Sequence, residues 1–210
     1  MTLFDSRYSL AFSNNQSFKT VATSELIPVI SRTDLAGYLR LDDANDLLLQ
    51  QLCSAATQFM INKLKTELIS RARVVTYPNY PTIGTSNSRN LSGTRQALKT
   101  EILLPYANVI SVESVFIHGV EVTEYHVKQT QPACIELDVI YLANDSNPAI
   151  IINYTAGFGN LEDIPADLKF AITMFAAYMY ENRGCGMSDA FMKSGAHEMT
   201  INYNTMPIVF

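Results

Sequence analysis

Residues 164–184 read Ile-Pro-Ala-Asp-Leu-Lys-Phe-Ala-Ile-Thr-Met-Phe-Ala-Ala-Tyr-Met-Tyr-Glu-Asn-Arg-Gly, and no other stretch constrains the fold as strongly. Pro165 suits the first turn of a helix, where a missing N–H costs nothing, and Asp163 and Asp167 stand near the positive end of the helix dipole. Arg183 in the last turn and Gly184, at the place of a left-handed cap, supply the stop. Between them Leu168, Ile172, Phe175 and Met179 recur at helical spacing, flanked by Ala171 and Tyr178. The opposite side carries Phe170, Met174, Ala177 and Tyr180, so the helix lacks a polar face. A helix apolar nearly all round is covered on more than one side. The expectation is one face packed inside its own subunit, with Phe170, Met174, Ala177 and Tyr180 meeting a neighbouring copy.

A chain of 210 residues has room for one domain with additions and can bury a real core. Its 48% hydrophobic and 17% charged residues exclude wholesale disorder. A net charge of −5 argues against a dedicated nucleic-acid binder, because neutralising phosphates takes clustered Lys and Arg. Cys53, Cys134 and Cys185 are dispersed and odd in number, which fits a reducing compartment and neither a disulfide framework nor a zinc knuckle. Residues 1–21 lack the apolar core of a signal peptide, and no apolar run approaches the roughly 18 residues of a membrane span. The reading is a soluble protein made in a cytoplasm, with no membrane partner.

Residues 1–27 are rich in Ser, Asn and Thr and read as an arm, in which 8–12 and 18–21 have the pattern of a hairpin. Ser31-Arg32-Thr33-Asp34 has the form of a capping box opening a short helix near 31–41. Asp42 and Asp43 open a longer one near 43–66, with Leu48, Leu52, Ala55, Phe59 and Met60 as its apolar stripe. From residue 68 the period shortens to that of strands: 68–77, 99–104, 109–118, 125–129, 134–142 and 149–154. Ile150, Ile151 and Ile152 are apolar on consecutive positions, which predicts a strand covered on both faces. Residues 82–96 form a long polar loop, and Gly157 and Gly159 break the sheet before the last helix. In 198–204 Met199, Ile201 and Tyr203 alternate with Thr200 and Asn202, a strand signal, and the chain ends on the apolar Met206, Pro207, Ile208, Val209 and Phe210. A greasy terminal arm of this kind suits docking by strand addition.

The fold class is therefore α+β: helices near 31–41, 43–66 and 164–184 form a small helical core, with a β-rich insertion between the second and last helix and extended arms at both ends. The corresponding organisation is an N-terminal arm at 1–27, a body at 28–184 (helical core 28–66 and 163–184, β insertion 67–162) and a C-terminal arm at 185–210.

Little in the chain points to catalysis. His118, His126 and His197 are too dispersed for a metal site, and Asp42, Asp43 and Asp46 are explained by a helix start. Gly157-Phe158-Gly159 lacks the length and the Lys-Ser/Thr of a phosphate-binding loop. No metal ligand set, cofactor motif or catalytic residue is assigned; were the chain a small enzyme or ligand-binding domain, Glu162, Asp163 and His126 would be its best candidates. Positive charge gathers around the long loop in Arg71, Arg73, Arg89, Arg95 and Lys99.

Three blocks carry a resemblance. The first is Pro28-Val29-Ile30-Ser31-Arg32-Thr33-Asp34-Leu35-Ala36-Gly37-Tyr38-Leu39-Arg40-Leu41-Asp42. The second is Ile102-Leu103-Leu104-Pro105 followed by Val112-Glu113-Ser114-Val115. The third is Ile152-Asn153-Tyr154-Thr155-Ala156-Gly157-Phe158-Gly159 with Ile164-Pro165-Ala166-Asp167-Leu168-Lys169 and Tyr180-Glu181-Asn182-Arg183. Across 28–184 the chain resembles the head–tail connector (adaptor, or head-completion) proteins of tailed double-stranded-DNA bacteriophages, the third block being the most specific. Ala107-Asn108 stand where a second Pro is common, and His118-Gly119 replace the usual Asp-Gly turn.

The resemblance implies a non-enzymatic virion protein at the head–tail interface, assembled in the host cytoplasm. It implies a homo-oligomeric ring, commonly a dodecamer, that binds the portal protein, offers a face to the neck, stopper or tail component, and lines part of the channel used in DNA ejection. Double-stranded DNA would pass without sequence-specific contact. A neck or stopper protein one layer further from the portal is the alternative. On that view Met199, Ile201, Tyr203, Met206, Pro207, Ile208, Val209 and Phe210 are the candidate portal-docking residues. Phe170, Met174, Ala177 and Tyr180 make the ring contact, and Arg89, Arg95 and Lys99 are candidates to touch DNA or the portal rim.

Overall fold

The computed structural model describes residues 18–43, 46–77, 100–130, 133–137 and 150–203. Its first helix, α1 (Arg32–Leu39), begins as the capping box requires: the Asp34 N–H donates to the Ser31 hydroxyl at 3.1 Å, and the Ser31 N–H donates to the Asp34 carboxylate at 3.2 Å. The second, α2 (Leu47–Leu64), starts later than Asp42 and Asp43 suggest. Its N-cap is Asp46, which accepts from the Leu48 N–H at 2.8 Å. Any of these aspartates can cap; the one adjoining the apolar run does so. Its buried stripe is Leu49, Cys53, Ala56, Met60, Ile61 and Leu64, with Leu48, Leu52, Ala55 and Phe59 half-buried beside it. The phase slips by one position because so broad an apolar arc leaves its centre undefined in sequence.

The expected central helix is α3 (Ala166–Glu181), 16 residues and about 24 Å long. Asn182, not Gly184, closes it: the Asn182 side-chain amide donates to the Tyr178 carbonyl at 3.0 Å, satisfying one of the helix's orphan acceptors. Gly184 is not among the residues of positive φ. Two short helices follow, α4 (Met187–Lys193) and α5 (Ala196–Thr200), and a 3₁₀ turn, Ile201–Tyr203.

This corrects two expectations. The alternating segment 198–204 is helical over its described residues, not a strand, and the chain from 187 to 203 is folded, not an extended arm. Met199 and Tyr203 are four residues apart as well as on alternate positions, so their spacing satisfies both periods. Gly195 at φ 79° starts the new helix, and the Thr200 hydroxyl donates back to the Ala196 carbonyl at 3.0 Å. Burial of Ala190, Phe191 and Ala196 decides the outcome.

Among the described residues eight strands form two antiparallel sheets: β1 (Lys19–Ala22), β2 (Arg71–Tyr77), β3 (Thr100–Leu103), β4 (Val109–Ile117), β5 (Val120–Val122), β6 (Tyr125–Lys128), β7 (Cys134–Leu137) and β8 (Ile150–Ala156). The larger sheet has the order β1-β2-β8-β4-β5 and the smaller β3-β7-β6. β1 pairs with β2; residues 8–12, its expected hairpin partner, lie outside the described residues, as does the long loop. His118 and Gly119, both of positive φ, make the tight turn between β4 and β5. Along β8, Ile150, Ile152, Tyr154 and Ala156 are buried while Ile151, Asn153 and Thr155 are half-buried. One sheet face is thus sealed and the other partly covered, so the cover expected on both faces is complete on one of them.

One hydrophobic cluster runs through the helices and both sheets. Helices from before the β region pack on the helix after it, as the α+β reading requires: α1 and α2 both contact α3. At the centre Phe59 of α2, Phe175 of α3 and Phe191 of α4 meet in tilted and edge-on pairs, with ring centroids 5.0 to 5.8 Å apart.

Candidate functional site

The third helix and what covers it form the candidate site. Leu168, Ala171, Ile172 and Phe175 are fully buried, as the first stripe predicts. Of the second face, Ala177 is buried, Met174 and Tyr180 are half-buried, and Phe170 is 47% exposed. Part of that cover comes from the same chain, since α4 and α5 lie against α3. Gly195 approaches so closely that a Cβ there would sit 3.4 Å from the Met174 Cε. Phe170 meets Tyr38 of α1 edge-on, with centroids 6.0 Å apart, and Tyr38 is equally exposed. Phe170 is thus the most exposed of the four residues of the second face. Sequence reasoning missed α4 because its seven residues, with Met187, Phe191 and Met192, are too few to set a helical period.

The predicted docking residues divide. Met199 packs against the core, Ile201 is 56% exposed, and the Tyr203 hydroxyl donates to the Asp167 carboxylate, 2.8 and 2.9 Å from its two oxygens. Met206, Pro207, Ile208, Val209 and Phe210 lie outside the described residues. So do Arg89, Arg95 and Lys99.

The two arginines at the start of β2 are internal fixtures. Arg71 donates through its guanidinium to the Ser24 carbonyl. Arg73 is ion-paired with Glu67, stacks over the Tyr106 ring 3.4 Å from its centroid, and donates to the Thr20 hydroxyl at 3.2 Å. Both members of the ion pair are almost fully buried. Burial pushes the hydroxyls of Tyr106 and Tyr154 above the ordinary tyrosine range, with Arg73 pulling the other way. Burial likewise raises Tyr77, whose hydroxyl donates to the Leu103 carbonyl, and pushes the Cys53 thiol up to about 11, with Asp34 adding to the effect.

Of the residues named for an enzymatic alternative, Asp163 has a structural task. The Asp163 carboxylate accepts from the Asn160 N–H at 2.7 Å and caps the 3₁₀ turn Leu161–Asp163, which also holds Glu162. His126 lies on β6 opposite Glu136. Two clefts of about 390 and 380 Å³ open on the described surface. The first runs between Ser24, Glu25, Leu26 and Ile27 and the segment from Glu67 to Arg71, and the second is lined by Pro28, Arg32, Gln50 and Cys53; neither contains Glu162, Asp163 or His126. Among the described residues no group of three or more His, Cys, Asp or Glu is placed to hold a metal ion, and no helix is long and apolar enough to cross a membrane.

No protein-family model matches the chain, and no curated protein matches it in sequence. Solved structures do. A chain from the neck of an empty gene transfer agent particle, computed with C6 symmetry, superposes with a TM-score of 0.63 at 21% identity, covering 91% of this chain and 97% of that one. A chain from the neck of the native particle, computed with C12 symmetry, gives 0.59 at 18%, with 91% and 97% covered. A third, from the virion of the native particle, gives 0.58 at 17%, with 90% and 97% covered. The protein therefore has, over nearly its whole length, the fold of a chain found in the neck of a phage-like particle.

Proposed function

We propose that this protein is a structural subunit of the neck of a tailed-phage-type virion: an adaptor that joins the portal to the neck or tail as a closed ring around the DNA path. The observation that carries this reading is the shared fold across 91% of this chain and 97% of a neck chain. The C6 and C12 symmetries of those necks support a ring, because a heterologous contact that closes makes one. The exposed pair Phe170 and Tyr38 offers an apolar patch on α3 and α1 for such a contact.

The mechanism is assembly rather than catalysis. The folded body sets the curvature of the ring, and the apolar residues Met206, Pro207, Ile208, Val209 and Phe210, with Ile201 beside them, grip the portal. Ordering a terminal segment on docking costs entropy but lets a short chain cover a large surface. DNA passes through the lumen without base-specific contact, with Arg89, Arg95 and Lys99 as candidates to meet it or the portal rim. The protein acts in the virion and assembles in the host cytoplasm. The same fold likeness accommodates a stopper one layer further from the portal, and portal binding separates the two.

The test is removal of residues 204–210. A cut before Thr200 is less clean, because it discards a buried threonine and the Tyr203–Asp167 bond. The shortened protein is expected to fold as the full chain does and to lose attachment to the portal ring. Unimpaired attachment refutes the docking role.

A further inference from the structure

Tyr203, in the 3₁₀ turn that follows α5, is fastened to the body of the subunit. The Tyr203 hydroxyl reaches across 36 residues of sequence to both carboxylate oxygens of Asp167, at 2.8 and 2.9 Å. Its ring meets Phe158 edge-on, with centroids 6.4 Å apart. The seat is firm on both sides. Asp167 stands in the first turn of α3, where its charge is stabilised by the helix dipole and makes a strong acceptor. Phe158 lies between Gly157 and Gly159, and backbone bonds pin this turn from two directions: Gly157 N–H to the Asn108 carbonyl at 2.9 Å, and Ser70 N–H to the Gly159 carbonyl at 2.7 Å.

The element so fastened is weak by itself. α4 has seven residues and α5 five, and they join at Gly195 in a left-handed conformation. Helices this short do not persist without tertiary contacts. Their inner contacts are Ala190, Phe191, Ala196 and Thr200, while Met187, Met192 and Ile201 face solvent. Local opening of so short an element is governed by its few tertiary contacts, and among the described residues the contact of Tyr203 with Asp167 and Phe158 is one of them.

We propose that the bond from Tyr203 to Asp167 is a latch that closes α4 and α5 on α3. Tyr203 and Asp167 are positioning residues: they hold the two short helices to the rigid body. The latch does not rest on the docking role proposed above.

Amide hydrogen exchange and proteolysis of Tyr203→Phe and Asp167→Ala test it. Each change is expected to speed exchange across residues 196–203 by about tenfold and leave β2 and β8 as slow as in the parent. Chymotryptic cleavage after position 203, which a phenylalanine also permits, accelerates to match. The double variant is no faster than the faster single one, since both remove the same bond. Tyr203 supplies a further signature. Its pKa is raised by desolvation and by the Asp167 hydrogen bond and charge, so in Asp167→Ala its ring-carbon titration by NMR moves down towards the ordinary tyrosine value. Exchange and cleavage unchanged in both variants, or faster exchange spread through β2 and β8, overturns the proposal. Portal attachment that survives removal of 204–210 sinks the docking reading and leaves these results as they are.

Discussion

The Arg73 guanidinium lies 3.4 Å from the centre of the Tyr106 ring and is ion-paired with Glu67, with both charges almost wholly out of water. Through the Thr20 hydroxyl the same arginine reaches β1. It therefore ties together the N-terminal strand, the link after α2, β2 and the turn before β4. A buried pair is costly to break from one side, because the partner is left charged and unmatched. Glu67→Ala or Arg73→Met is expected to cost about 3–5 kcal/mol in urea denaturation. Replacing both with apolar residues of similar volume recovers most of it. A single variant within about 0.5 kcal/mol of the parent, the range of an ordinary surface substitution, contradicts this account.

Gly157 and Gly184 make a contrasting pair. At Gly157, with φ at 139°, a Cβ would lie 2.8 Å from backbone atoms of Ile69 and Ser70; at Gly184 it would meet nothing within 4 Å. Gly157→Ala must push apart two backbone segments and also adopt a conformation that L residues avoid. The expected loss is about 3 kcal/mol or more, or a melting midpoint lowered by roughly 6 °C or more for a chain of this size. Gly184→Ala is expected to leave the midpoint within about 1 °C, because no left-handed cap is lost. Thermal unfolding of the two variants reads the difference directly.

Alkaline pH should weaken the fold. Cys53 keeps its proton in the folded state up to about 11, against an ordinary 9.0, and burial raises Tyr77 and Tyr154 as well. Above pH 9 the unfolded chain loses protons that the native one retains, so stability falls as pH rises. The contribution is complete below about pH 9 and is lost on the way to about 11, with the tyrosines extending the fall. Urea midpoints between pH 8 and 11 are expected to be flat and then to descend, less steeply in Cys53→Ala. A midpoint that holds steady to pH 11 contradicts the assignment.

How far the sequence carries depends on how many contacts decide each element. Ser31 and Asp34 are three residues apart and their capping bonds are local, so α1 is legible locally. β2, β3, β4, β6, β7 and β8 fall on runs read as strands, whereas the alternating burial of β8 is hidden in sequence by consecutive Ile150, Ile151 and Ile152. Where choices are degenerate the reading slips: Asp42, Asp43 and Asp46 are equally good caps, and two stripes compete for the core face of α2. The strand assigned to 198–204 failed because a two-residue and a four-residue spacing share Met199 and Tyr203. What separates them is Phe191 packing on Phe175 and on Phe59, the latter a contact spanning more than a hundred residues. The same contact explains why the second face of α3, expected to await a neighbour, is partly covered at home.

The ring itself is decided by mass. Mass photometry and negative-stain electron microscopy of the purified chain, alone and mixed with its portal ring, are expected to show closed rings of six- or twelvefold symmetry. A species of single-chain mass in both samples, with the portal rings bare, contradicts the assignment to the neck.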